Sequence, residues 1–255
     1  MSERNGFEHG VPCWIDTWQD DLDAAVAYYT GVFGWEADVG EEYTRFRLRG
    51  RDVVGAGTPL PPGAAPAWTT YVWVDDADAA AEKVTAAGGS VVREPFDSLD
   101  GGRMAIVADP QGAVFAVWQP GEHRGAQVVN EPGAWSMSAL ITPEPDAAIA
   151  FYGAVFGWEP EAFGDVATML RRPGFVGGEP QQPVPRDTVA VMVRGEAAAW
   201  NVDFWVDDVD AAAERATSLG GRVLVPPHDG PVGRNAVLAD PAGAVVGVSR
   251  VLPPG

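Results

Sequence analysis

LDAAVAYYTGVFGWE (Leu22–Glu36) returns as PDAAIAFYGAVFGWE (Pro145–Glu159), and VWVDDADAAAEKVTAAGG (Val72–Gly89) returns as FWVDDVDAAAERATSLGG (Phe204–Gly221). The tyrosines of the first pair are offset by 123 residues (152 − 29) and the aspartates of the second by 132 (208 − 76), so the halves align after one insertion of nine residues (132 − 123). A pattern that recurs in this way reads as a duplicated domain. In the first motif Leu22, Ala25, Val26, Tyr29 and Phe33 share one stripe at spacings of three and four residues, which predicts an amphipathic helix packed on a sheet.

The second motif predicts a helix capped by the carboxylate of Asp75 and ended by Gly88, with Asp207 and Gly220 in the same roles in the second copy. Alternating runs precede both helices. Thr70, Val72 and Val74 oppose Thr69, Tyr71 and Trp73, while Val202, Phe204 and Val206 oppose Asn201, Asp203 and Trp205. One face is apolar and meets the helices; the other is polar and aromatic and is not simply core. DPQG (Asp109–Gly112) and DPAG (Asp240–Gly243) place Asp, Pro and Gly where a type I turn prefers them, so these aspartates read as structural. Alternating strands follow at Val114–Trp118 and Val245–Ser249. The order is strand, helix and three strands, used twice per copy. This predicts an α+β fold of two tandem domains, 8–120 and 133–252, joined by a linker at 121–132 in the Pro- and Gly-containing stretch QPGEHRGAQVVNEPGA.

With 255 residues, 46% of them apolar, two such domains can each bury a core. Cys13 is the only cysteine, which excludes an intramolecular disulfide and points to a reducing compartment. The opening MSERNGFEHGVP lacks the apolar run of a signal peptide, and no run is long enough to suggest a membrane span, so a cytoplasmic protein without membrane partners is expected. The net charge of −19 repels a phosphate backbone and argues against nucleic acid. There is no Gly-rich phosphate loop, paired CxxC or GxSxG elbow.

The ordered set FYxxVFGW, VDDxDAAxxxxxxxGG and DPxG resembles the vicinal oxygen chelate superfamily, which holds glyoxalase I, extradiol dioxygenases, fosfomycin-modifying enzymes and bleomycin-binding resistance proteins. The likeness covers nearly the whole chain. It is closer still to the two-domain, glyoxalase-like proteins of actinobacteria that carry the label hydroxylase. The resemblance implies paired βαβββ modules forming a curved eight-stranded sheet around a cavity in each domain. It also implies three metal-ligand positions per domain. In this chain they fall on Asp16, Thr69 and Ala116, then on Ala139, Asn201 and Gly247. A transition ion needs at least three converging nitrogen, sulfur or oxygen ligands, and one carboxylate cannot supply them. His9, His123 and His228 fall in the N-terminal tail, the linker and a Pro-rich loop. No metal and no other cofactor is expected.

The predicted cavity face instead carries Trp18, Tyr71, Trp73 and Trp118 with Asp16 and Thr69 in the first copy, then Asn201, Asp203 and Trp205 in the second. Trp35 and Trp158 follow the first helix in matching places and read as core. Aromatic contacts contribute roughly 0.5–1.5 kcal/mol each beyond burial, enough for a few of them to hold a flat ligand without a metal. Asp16 and Asp203 are candidate general bases if burial raises their pKa, and Arg103 and Arg234 could steady an anion or form surface ion pairs. The sequence therefore supports metal-independent binding of a small, aromatic molecule, for sequestration or tolerance. The alternatives are a metal-free isomerase, lyase or cyclase using Asp16 or Asp203, and an interaction protein whose cavities take no ligand. The expected state is a monomer with an internal pseudo-dimer, or a weak homodimer.

Overall fold

Two strand-helix-three-strand units in each copy bring their strands into one mixed eight-stranded sheet. The computed structural model describes residues 3–98, 101–177, 184–230 and 233–251; residue 252, the expected end of the second domain, lies outside them. The first domain contains β1 (Pro12–Trp18), α1 (Leu22–Phe33), β2 (Glu36–Val39), β3 (Tyr43–Leu48), β4 (Arg51–Gly57), β5 (Ala67–Trp73), α2 (Ala77–Ala86), β6 (Ser90–Asp97), β7 (Arg103–Ala108) and β8 (Val114–Gln119). The second contains β9 (Trp135–Thr142), α3 (Pro145–Phe156), β10 (Glu159–Phe163), β11 (Ala167–Arg171), β12 (Thr188–Arg194), β13 (Ala199–Trp205), α4 (Val209–Ser218), β14 (Arg222–Gly230), β15 (Gly233–Ala239) and β16 (Val245–Val251). The strand orders match: β2-β3-β4-β1-β5-β8-β7-β6 and β10-β11-β12-β9-β13-β16-β15-β14. In each, the two modules join through the antiparallel pair at the centre, β1 with β5 and β9 with β13.

The caps of the second helices sit one residue later than expected. Asp76 accepts from Ala79 N at 3.0 Å and Asp208 from Ala211 N at 3.0 Å, because a capping carboxylate must stand three residues before the free amide it reaches. Asp75 is exposed and pairs with His9 at 3.4 Å. Gly88 and Gly220 follow these helices with φ of +92° and +88°, the left-handed region where a side chain is strained.

The buried stripe of α1 is Leu22, Ala25, Tyr28, Tyr29 and Val32, rotated from the expected one, with Val26 and Phe33 only partly buried. The reason is a second partner. Besides its own sheet, α1 packs against α4 of the other domain, and α2 packs against α3. The helix-bearing sides of the two sheets meet between β5 and β13, where Thr70 and Ser138, both fully buried, share a 2.7 Å hydrogen bond.

The repeated motifs converge on this junction. Tyr29 donates to Asp240 at 2.8 Å and receives Trp68 Nε1 at 3.1 Å; Tyr152 donates to Asp109 at 3.2 Å and receives Trp200 Nε1 at 2.9 Å. Each aspartate also takes backbone amides of its own DPxG turn. A Cβ on Gly89 would come within 2.9 Å of Phe151, and one on Gly221 within 2.6 Å of the Tyr28 hydroxyl, so the second glycine of each GG lets the other domain's helix approach. Trp35 and Trp158, buried as expected, donate to the carbonyls of Gly133 and Gly10, which precede the first strand of the other domain.

Candidate functional site

The helices cover one side of each sheet, and the residues expected to line the cavities lie on the other. On the first sheet, strand alternation and the pairing of Asp16 with Thr69, Tyr71 with Ala116 and Trp73 with Trp118 place all these side chains on the helix-free face. Asp16 is 2% exposed. Its Oδ2 accepts from Tyr71 at 2.8 Å and Tyr43 at 3.1 Å, and Trp14 Nε1 donates to the Tyr43 hydroxyl at 2.9 Å. Its Oδ1 is buried with no hydrogen-bond partner among the described residues. Burial raises the Asp16 pKa to about 7, against a smaller lowering by the hydrogen bonds of Tyr71 and Tyr43.

This face is closed by the protein itself. The His123 ring lies against Trp14 at 4.5 Å and Trp118 at 5.6 Å, and its carbonyl accepts from Trp118 Nε1 at 3.2 Å. Trp73 is covered by Phe7 and Arg124. Tyr71, Trp73 and Trp118 are therefore buried walls, while Trp18 and Thr69 keep partial exposure at the open end.

The second sheet is different. Asn201, Asp203 and Trp205 are half-buried on the helix-free face, as are Met137, Ala139, Ile141, Val191, Val193 and Val245 around them. Asp203 Oδ1 accepts from Ser136 at 2.9 Å and from Ser249. No described residue donates to Oδ2, which lies where a Cβ on Gly247 would come within 2.5 Å. Burial raises the Asp203 pKa to about 6, with the two serine hydroxyls pulling the other way. The result is a fixed carboxylate with one oxygen committed and the other turned toward an apolar, accessible surface. At the Ser136 and Met137 end the face runs into a cleft of about 60 Å³, formed with Arg4, Phe7, Trp135 and Phe175.

Arg103 and Arg234 are not brought to either face. Each is held by two aspartates, Asp78 and Asp97 or Asp210 and Asp229, on the helix side of its sheet, so the structure favours the ion-pair reading over the anion-binding one. His228 sits in strand β14 opposite Asn235, not in a loop, and is exposed. Sequence reasoning missed Tyr43, His123, Ser136 and Ser249. Ser249 was within reach, since it stands two residues after Gly247 on an alternating strand. Tyr43 and the linker residue His123 carry no local signal, because their roles exist only after tertiary pairing.

Residues 14–117 match the glyoxalase/bleomycin resistance protein/dioxygenase superfamily and residues 137–249 match the glyoxalase-like domain. The chain belongs to the glyoxalase/bleomycin resistance protein/dioxygenase superfamily. Among its relatives, the glyoxylase-named CFP32 of Mycobacterium tuberculosis (strain CDC 1551 / Oshkosh) is 39% identical over 99% of both chains. The anthracycline biosynthesis protein DnrV of Streptomyces peucetius is 38% identical over 93% of this chain and 92% of its own. The fold is shared with the Mn(II)-bound glyoxalase of Novosphingobium aromaticivorans (TM-score 0.66, 21% identity, 95% of this chain and 82% of that one). It is also shared with the 2,3-dioxygenase LapB of Pseudomonas sp. KL28 (TM-score 0.64, 13% identity, 97% and 95%).

The divalent ion that this family implies does not fit the residues present. At the three positions of the first domain stand Asp16, whose Oδ2 is taken by two tyrosines, with Thr69 and Ala116. In the second they are Ala139, Asn201 and Gly247, and the Asp203 carboxylate occupies the space a side chain at 247 would need. Among the described residues no three His, Cys, Asp or Glu side chains converge.

Proposed function

We propose that the chain binds a small molecule with a flat aromatic body on the helix-free face of the second sheet, without using a metal. The observation that carries this reading is the contrast between the two faces. The first is filled by Trp14, Tyr71, Trp118 and His123. The second keeps an apolar floor half-exposed around the anchored Asp203, with Trp205 beside it. An apolar surface with a few placed polar groups is the usual composition of a small-molecule site. The name of DnrV supports a polycyclic aromatic ligand of the anthracycline type. Trp205 offers a ring for stacking and Asp203 an acceptor for a hydroxyl or ammonium group.

Isothermal titration of the full chain with an anthracycline tests the proposal. Saturable micromolar binding is expected, with the ligand recovered unchanged and affinity lost at least fivefold in Trp205→Ala. Absence of saturable binding, or binding untouched by Trp205→Ala, overturns it.

A second reading rests on Asp203 itself. With Oδ1 fixed by two hydroxyls and Oδ2 available, it has the arrangement of a general base in a metal-free isomerase, lyase or cyclase. Turnover that falls as pH drops below about 6 and vanishes in Asp203→Asn would favour this reading over sequestration.

A further inference from the structure

The second helix of each copy packs beside the first helix of the other domain, and the two crossings are filled differently. Arg215 of α4 donates through Nε to Val32 O, in the last turn of α1, at 3.1 Å. Leu219 packs on the same helix, so close that a Cβ on Gly31 would come within 2.5 Å of it. The offsets of the repeats give the counterparts at the crossing of α2 and α3: Lys83 for Arg215, Ala87 for Leu219 and Val155 for Val32. Lys83 cannot copy Arg215, because a methylene stands where the arginine carries Nε. Its side chain is exposed, and its ammonium makes no hydrogen bond or ion pair among the described residues. No described residue donates to Val155 O.

The second crossing therefore keeps a cleft of about 170 Å³, lined by His9, Val74, Asp75, Ala80, Val155 and Phe156 among others. A space of roughly 150 Å³ takes a benzene ring. The last turn of α3 holds no basic residue, and a helix C-terminus favours a cation. Asp75, with a side chain 80% exposed, adds a carboxylate to the lining. Burial lowers the pKa of His9 against the opposite pull of Asp75, so the ring beside that carboxylate is uncharged at neutral pH. The other crossing shows that such a carbonyl is within reach of a ligand-sized group: Val32 is only 2% exposed, yet Arg215 meets its oxygen.

We propose that this cleft binds a small amidinium or guanidinium cation with an apolar body. One N–H donates to Val155 O, in the place that Arg215 takes at Val32, and the body lies against Val74, Ala80 and Phe156. The site is independent of the helix-free face of the second sheet, because it lies on the helix-bearing side and is built by both domains.

The test compares three probes on the full chain by calorimetry: benzamidine, benzamide and benzoate, which share a ring and differ in charge. Benzamidine should bind saturably, benzamide at least tenfold more weakly and benzoate not at all. Lys83→Arg, which keeps the charge and supplies the Nε that Arg215 uses, should weaken benzamidine at least tenfold by filling the cleft. Lys83→Ala, which removes a like charge, should leave benzamidine as tight or tighter. Equal binding of benzamidine and benzamide, no saturable binding of benzamidine, or an affinity that Lys83→Arg leaves intact overturns the site. So does a loss in Lys83→Ala. Trp205→Ala should bind benzamidine as the unaltered chain does; a loss there would assign the probe to the second-sheet face and overturn the cleft, while the anthracycline titration decides the face reading on its own.

Discussion

Replacing Tyr152 by Phe removes one oxygen from the centre of the domain junction and leaves two groups without their partner. Asp109, 3% exposed, loses its Oδ2 partner at 3.2 Å, while Oδ1 keeps the amides of Gln111 and Ala113. Trp200 Nε1, which donates to that hydroxyl at 2.9 Å, loses its acceptor. A hydrogen bond to a charged group is worth about 1.5–3 kcal/mol and an orphaned buried donor costs about 1–3 kcal/mol, so a destabilisation of roughly 3–5 kcal/mol is expected. Tyr29→Phe should cost less, because Asp240 keeps Gln19 Nε2 as a second donor to the same oxygen. At this chain length roughly 2–4 °C of melting temperature accompanies each kcal/mol, which predicts a drop of about 6–20 °C for Tyr152→Phe. Urea and thermal unfolding followed by circular dichroism measure both variants. A loss under about 1 kcal/mol for Tyr152→Phe, or a larger loss for Tyr29→Phe, would refute the claim that these tyrosines bind the domains through the turn aspartates.

Three further outcomes follow from the sites. Asp16 has its pKa raised from 3.8 to about 7, so its folded form binds the extra proton between those values. Its contribution to stability is full below about pH 4 and is lost as pH rises through 7, by up to about 4 kcal/mol. Asp16→Asn should therefore gain stability relative to the unaltered chain between pH 4.5 and 7.5 in urea unfolding, and a flat difference would contradict the assignment. Gly247→Ala places a Cβ 2.5 Å from Asp203 Oδ2 and must displace that carboxylate, so anthracycline affinity or any turnover should fall at least tenfold with little change in melting temperature. Arg103→Ala and Arg234→Ala break ion pairs at the protein surface, so each should leave the urea-unfolding midpoint nearly unchanged and ligand binding unaltered in the same titration.

The duplication, the α+β module and the faces of the strands were all legible in the chain, because they are local. A period of 3.6 fixes a helix stripe, a period of 2 fixes which side chains share a sheet face, and an Asp-Pro-x-Gly tetrapeptide fixes a turn whatever surrounds it. At the positions where the family resemblance implied metal ligands, the residues present, among them Thr69, Ala116, Asn201 and Gly247, can also be read directly from the sequence. Only the tertiary structure decided what these faces became. Asp16, Tyr71 and Trp118 read in the sequence as part of an open cavity face, but His123 from the linker and Tyr43 from the far hairpin seal them in. Asp203 reads in the sequence as a cavity-face carboxylate and candidate base, but that Ser136 and Ser249, 67 and 46 residues away, fix one of its oxygens is decided only by the fold. The rotation of the α1 stripe and the bonds from Tyr29 and Tyr152 to the turn aspartates depend on the other domain's surface. Local periodicity sets which way a side chain points; what it meets there depends on residues distant in the chain, whose placement only the packed fold supplies.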